Sequence, residues 1–342
     1  MSTSKPIFVV LGATGQQGGS IVTHFLSLES NPYALRGVTR DPTSSKSKSL
    51  IDQGVEMVAG NFDDPDSLDA AFKGAAVIFS VTDFWQSYAS PSVREAAAAA
   101  GKSLMLATRD NEAQQGRNII DAAAKIPTLE RFIMSSLPYV SKLSGGKYVN
   151  VNHFDSKGMA EEYGAETHKE LWAKTSVIIV GFYAENYTSD IVTAEMLKPV
   201  LNKEKDTLVY TFSEPLLSSP FPMISVVADT GSLVHALLQV APGKKLIGVN
   251  EWLSLRQMTE LLGEVLGKKV EIVDKELEFD LGDPDIALDM GEMGAASVEL
   301  GYDGSKADMS IIQPKDLGVP VKLESLKGWA SKQNWETALK VV

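Results

Sequence analysis

The stretch that most constrains this chain runs from Ile7 to Gly18 and reads IFVVLGATGQQG. Ile7, Phe8, Val9, Val10 and Leu11 form an apolar run with no alternation, the pattern of a strand buried on both faces in a helix-covered parallel sheet. Gly12, Gly15 and Gly18 follow at three-residue spacing, and Gly19, Ile21, Val22, Phe25 and Leu26 then continue with a helical period. Strand, glycine turn and helix in that order predict a dinucleotide-binding turn. Gly12 would permit the bend, Gly15 would let a pyrophosphate approach the backbone, and Gly18 would let the helix pack closely on the strand. Thr14, Gln16 and Gln17 fill the intervals, where the free N–H groups of a helix start face phosphates. The spacing is GxxGxxG, with Ala13 at the second position of GxGxxG, and a purely structural turn is the alternative.

Further strands follow at regular intervals. Tyr33–Thr39 (YALRGVT) ends at Arg40-Asp41-Pro42, about twenty residues beyond the turn, where an acid would grip the ribose of NAD and an Arg the 2′-phosphate of NADP. Arg40 stands there, with Lys46 and Lys48 nearby, and Pro42 holds Asp41 extended, so NADP(H) is the expected cofactor. Val55–Ala59 is a third strand, placing Asn61 and Phe62 at its carboxyl end against an adenine, and Asp64-Pro65 caps the next helix. Ala75–Val81 is a fourth, leading to Thr82, Asp83, Phe84 and Trp85 at the crevice; Asp83 is either a ligand contact or a cap. Arg94–Ala124 reads as helical, and Arg131–Met134 is a fifth strand ending at Ser135-Ser136. Strands alternating with helices give an α/β fold with a doubly wound parallel sheet.

The segment Tyr148–Gly164 places His153, Lys157, Ala160 and Glu161 on one helix face. A Lys in a cofactor cleft orients the nicotinamide ribose, and a donor one turn earlier protonates a carbonyl as hydride arrives. That donor position holds His153, which can act as an acid near neutral pH, with Ser135 or Ser136 as the third polar group. An amphipathic surface helix is the competing reading. Downstream, Ser176–Val180 is a sixth strand, followed by GFYAENY, where Tyr183, Asn186 and Tyr187 either wall a substrate pocket or lie in the core. Beyond it the pattern breaks into short strands and the helices Val226–Gln239 and Leu255–Leu266, a smaller α+β lobe closing the nicotinamide end. Domain bounds of 1–180 and 181–342 are expected, with the two interleaved. Residues 280–310 are rich in Gly, Asp and Met, and Met290 and Met293 form either an adaptable lid or part of a surface loop.

Charge and composition exclude several classes. A formal net charge of -12 offers nothing to a nucleic acid. With no Cys there is no thiol chemistry, and no apolar run reaches the roughly 18–20 residues that span a bilayer. The four His are scattered and no HExxH is present, so no metal site is expected. A cytoplasmic protein is expected, nuclear if it regulates.

The turn GATGQQG, the strand end TRDP, NEAQQGRNIIDAAAK leading to RFIMSSLP, the HFDSKGMAEEY helix and the loop GFYAENY together resemble the NmrA-like family, over roughly residues 5–310. These are atypical short-chain dehydrogenase/reductases related to isoflavone reductases. The resemblance implies a Rossmann-type domain with a smaller C-terminal lobe, and NAD(P) binding. The family divides between oxidoreductases, many in fungal secondary metabolism, and redox-sensing transcriptional regulators that act through a protein partner. Lys157 matches the family's retained lysine, and His153 stands where the YxxxK pair of standard short-chain dehydrogenases has Tyr. The expected activity is reduction of a small, largely apolar carbonyl or conjugated alkene, with Lys157, His153, Ser136 and Tyr183 as the catalytic group; the alternative is a non-catalytic sensor.

Overall fold

The computed structural model of the chain describes residues 5–189, 197–275 and 283–341. Six strands of the expected kind form: β1 (Ile7–Leu11), β2 (Ala34–Thr39), β3 (Glu56–Ala59), β4 (Ala75–Ser80), β5 (Arg131–Ser136) and β6 (Thr175–Val180). They pair in parallel, each joined to the next by a helical crossover, and the order 6-5-4-1-2-3 reverses at β1. Two later strands, Lys245–Gly248 and Ile311–Ile312, extend the same sheet beyond β6 to eight strands, so residues far past 180 complete it. Side chains of β4 and β6 are buried along their whole length, as expected of strands with apolar runs at Ala75–Phe79 and Val177–Val180 in a sheet covered on both faces.

Each face of the sheet carries its own core. On one side, Ile21, Val22 and Phe25 of α1 (Gln16–Ser27) pack with Leu233, Val234 and Leu237 of the helix Val226–Gln239. On the other, Leu68, Phe72, Ile119 and Ile120 pack beneath β1, β4 and β5. The caps fall where the sequence puts them: Asp64 accepts from the Asp66 amide before the helix Pro65–Phe72, and Ser254 and Gln257 form a capping box before Leu255–Leu266.

Two expectations are corrected. The Arg94–Ala124 stretch is two helices, Pro91–Ala100 and Leu104–Ala124, because Gly101 turns the chain with φ of 60°. Residues 284–300 are not a loop but one continuous helix, Pro284–Leu300, capped by Asp283 with Pro at its start; residues 280–282 lie outside the described part. Two smaller sheets and a core around Tyr187, Leu208, Phe212, Phe221 and Trp329 build the remaining lobe.

Candidate functional site

A cleft of about 650 Å³ opens at the carboxyl ends of β1 to β6 and continues into the smaller lobe. It lies where the strand order reverses, the place at which open α/β sheets collect ligands. Of the residues singled out above for cofactor or catalysis, Gly12, Thr14, Gly15, Gln16, Gln17, Gly18, Arg40, Asn61, Phe62, Thr82, Ser136, His153, Lys157 and Tyr183 line it.

The glycine turn has a built shape. Gly12 takes φ of +62°, which L side chains rarely adopt. A Cβ on Gly18 would lie 2.3 Å from the Gly12 carbonyl oxygen and 2.7 Å from that of Leu11, so only glycine lets α1 start so close to β1. Gly15 is the N-cap of α1, exposed, and no side chain caps the helix there. The first N–H groups of α1 therefore face the cleft without a capping oxygen, the arrangement that receives phosphates. Two further acceptors on the wall, Gln17 Oε1 and Asn111 Oδ1, are buried without a partner among the described residues. This cradle fits a dinucleotide.

At the outer end, Arg40 is exposed, and its guanidinium faces the side-chain amide of Gln86 across the mouth of the cleft. Asp41 is turned into its own loop, accepting from the Thr43 amide (2.8 Å) and hydroxyl (2.6 Å), and it does not line the cleft. Lys46 and Lys48 are exposed and do not line it either. Asn61 spends its side-chain oxygen on the Asp63 amide (3.1 Å), while Phe62 lends its ring to the wall. Asp83 caps the short helix Phe84–Tyr88 by accepting from the Gln86 amide, and the residue also lines the cleft.

Inside, Lys157 and His153 project from the helix Asn152–Thr167. That helix crosses Leu104–Ala124 at very close range, since a Cβ on Gly116 would lie 2.5 Å from the Ala160 Cβ. One turn away, the same approach brings Glu112 under the site. Lys157 Nζ donates to Glu112 Oε1 at 2.5 Å, and the Ser156 hydroxyl donates to Glu112 Oε2. Glu112 is wholly buried and the Lys157 side chain is 12% exposed. His153 has a matching acid: its Nδ1 faces Oδ1 of the fully buried Asp289 at contact distance, outside the geometry of a straight hydrogen bond. Phe84, Trp85 and Phe154 surround the imidazole with ring centroids 6.1, 5.7 and 4.7 Å away. Ser135 and Ser136, both buried at the end of β5, also line the cleft.

Tyr183 receives a 2.6 Å hydrogen bond from Gln17 Nε2, tying the glycine-turn helix to the inner wall. Burial pushes its phenol up to about 12, only partly offset by the Gln17 bond. A group with that acidity stays protonated near neutral pH and serves better as a hydrogen-bond donor than as an acid. Tyr187 does not wall the pocket. It is fully buried in the lobe core, where burial pushes its hydroxyl up, and that hydroxyl has no partner among the described residues.

The inner end of the cleft is apolar, formed by Phe154, Phe182, Phe212, Phe221 and Leu255, with Met290 and Met293 contributed by the helix Pro284–Leu300. Glu112, Asp289, Gln86 and Tyr302 escape a reading from sequence. The first two carried a signal: each is an acid at an apolar register, Glu112 four residues before Gly116, and Asp289 between Ile286 and Met290. Among the described residues, no group of three or more His, Asp or Glu could hold a metal, and no helix is long and apolar enough to cross a membrane.

The NmrA-like family profile matches residues 4–310. Among curated proteins, the chain is similar to the NmrA-like family domain-containing oxidoreductases FrzB of Cladobotryum sp (27% identical, covering 77% of this chain and 74% of that one) and malD of Malbranchea aurantiaca (26%, covering 80% and 76%). Among solved structures, the fold is similar to NmrA, a negative transcriptional regulator, in complex with NAD (TM-score 0.70, 18% identical, covering 96% of this chain and 95% of that one). It is also similar to the Citrobacter sp. triphenylmethane reductase complexed with NADP(H) (TM-score 0.60, 17% identical, covering 96% and 99%). With its doubly wound sheet and dinucleotide cradle described, and a match over nearly its whole length, the chain belongs to the NmrA-like family.

Proposed function

We propose that this chain is an NADP(H)-dependent reductase of a small, largely apolar carbonyl or conjugated alkene. The observation that carries the reading is that Lys157 and His153 stand together between a phosphate cradle and an apolar, aromatic chamber of one continuous cleft. A regulatory surface needs no such chamber, and the curated relatives are named oxidoreductases. Gly15, Gln16, Gln17, Thr14 and the start of α1 would hold the pyrophosphate, Asn61, Phe62 and Thr82 the adenosine, Arg40 the 2′-phosphate, and Lys157 the nicotinamide ribose. When bound, the reduced nicotinamide supplies hydride. The chain's own part is to exclude water with its aromatic wall, orient the acceptor from the Tyr183 hydroxyl and Ser136, and deliver a proton from His153. Glu112 fixes the Lys157 ammonium in place.

The second reading, a dinucleotide sensor acting through a protein partner, rests on His153 standing where a short-chain dehydrogenase has Tyr. Loss of NADPH absorbance with a panel of carbonyls and enones decides between them, with wild type beside His153→Phe. Turnover by wild type that drops about 10²–10⁴-fold in the variant, with NADPH affinity retained, is the expected result. A wild type that binds NADPH tightly and consumes none across the panel overturns the reductase reading.

A further inference from the structure

Asp289 is a carboxylate with no exposure, lying on a helix of the C-terminal region, and a buried carboxylate is costly unless its oxygens are used. Both face the start of the helix that carries His153. Oδ2 accepts from the Asn152 amide at 2.7 Å, one of the N–H groups that a helix start leaves without an internal partner. Oδ1 faces His153 Nδ1. The other ring nitrogen, Nε2, makes no hydrogen bond with any described residue, and His153 lines the cleft.

We propose that Asp289 is a positioning residue that fixes the tautomer of His153, so that Nε2 is the atom that gives the proton to substrate. This rests on the reductase reading for its use, though not for its test. An ionised carboxylate only accepts, so the ring nitrogen facing it must carry hydrogen. The three surrounding aromatic rings limit rotation, which keeps Nε2 directed away from Asp289. When the C=O π electrons move onto oxygen as hydride adds to carbon, that oxygen takes the Nε2 proton. The imidazolium becomes a neutral imidazole with its remaining hydrogen on Nδ1, facing the same carboxylate, and water restores the Nε2 proton afterwards. No ring flip or second tautomer is needed between the two states.

Asp289→Asn isolates this role. The amide oxygen still accepts from Asn152, while its NH2 now faces Nδ1 and makes that nitrogen an acceptor. The measurement is NMR of the full chain labelled with ¹⁵N-histidine, without cofactor, with His153→Gln identifying the signal among the four His. Neutral His153 carrying its hydrogen on Nδ1 in wild type and on Nε2 in Asp289→Asn is the expected result. NADPH affinity should stay within about threefold while turnover falls at least tenfold, towards the range general acid help supplies. A purely structural carboxylate would leave the tautomer unmoved. Wild-type His153 carrying its hydrogen on Nε2 overturns the proposal, and so does an Asp289→Asn variant that keeps both tautomer and turnover. Should the variant fail to fold, the wild-type tautomer decides alone. A wild type with the expected tautomer and no turnover defeats the reductase reading instead.

Discussion

Replacing Lys157 with Met should cost far more stability at neutral pH than its place on a cleft wall suggests. The substitution conserves length and apolar contact, so the change lies in the partner it abandons. Glu112 is wholly buried, and of its two oxygens one is met by Lys157 Nζ at 2.5 Å and the other only by the Ser156 hydroxyl. Breaking a buried pair by removing one partner costs about 3–5 kcal/mol. The variant has one escape, to take up a proton on the orphaned acid. Neutralising a glutamic carboxyl of ordinary acidity at pH 7 costs about 3.7 kcal/mol, which sets a ceiling, and at pH 5 the same step costs about 1 kcal/mol. The folded variant then holds a proton that the unfolded chain has released, so its stability falls as pH rises between those values. Urea unfolding followed by the fluorescence of the five Trp residues measures this. A loss of about 3–4 kcal/mol at pH 7, shrinking to about 1 kcal/mol at pH 5 and largely reversed by adding Glu112→Gln, is expected. A loss below about 1 kcal/mol at pH 7, or no recovery in the double variant, would refute the reasoning. The double variant is also the proper background for asking what the ammonium contributes to cofactor binding.

Arg40→Ala should remove the preference for NADPH over NADH, a difference of about 1.5–3 kcal/mol for charge-assisted bonds, read by titration calorimetry with both dinucleotides; equal affinities in wild type would exclude the role. Gly15→Val, at an exposed extended position where a Cβ lies 3.2 Å from the Gly12 oxygen, should keep the circular dichroism spectrum and lose dinucleotide binding. Gly18→Ala should lose both, since its Cβ meets backbone at 2.3 Å. The His24 and His235 rings meet at 2.9 Å between α1 and the helix Val226–Gln239, and burial holds both below their usual pKa of 6.5, with His235 adding to the effect on His24. The unfolded chain therefore binds protons first as pH falls, and this pair's contribution to stability is lost below about pH 6.5. The gap in urea midpoint between pH 7.5 and pH 5.5 should narrow in His235→Gln; an unchanged gap would show that the pair does not titrate in this range.

Local rules sufficed where sequence and structure share a period. β1, the glycine turn and α1 are legible because apolar continuity, glycine spacing and helical period each point to the same element. His153 and Lys157 were legible as i and i+4 on one helix. Their acids were not, because Glu112 and Asp289 reach the site from other helices, and nothing local in the sequence states which helices touch. Even so, an acid at an apolar register is a sign of a buried partner, and Glu112 carries it. The same sign at Asp289 was hidden because a stretch rich in Gly and Asp reads as a loop. Pro284, the Asp283 cap and the Ile286–Met290–Met293 stripe outweigh those residues once the stripe has a core to face. Tyr187 and Tyr183 illustrate the converse limit: four residues apart in one loop, they part to core and cleft through a turn that composition does not specify.

The late strands of the large sheet have a consequence for how the chain is made. β6 is buried throughout, and its outer edge is paired only when Lys245–Gly248 arrives, which in turn is flanked by Ile311–Ile312. During synthesis, roughly 130 residues separate the end of β6 from that final strand, or roughly 7–26 s at ordinary elongation rates. For about the first half of that interval, until Lys245–Gly248 arrives, the nascent chain carries a complete glycine turn and a β6 with an open outer edge, and α1 waits for the helix Val226–Gln239 to cover it. The cofactor cradle is therefore backed by its packing partner only about 200 residues after α1 itself is made.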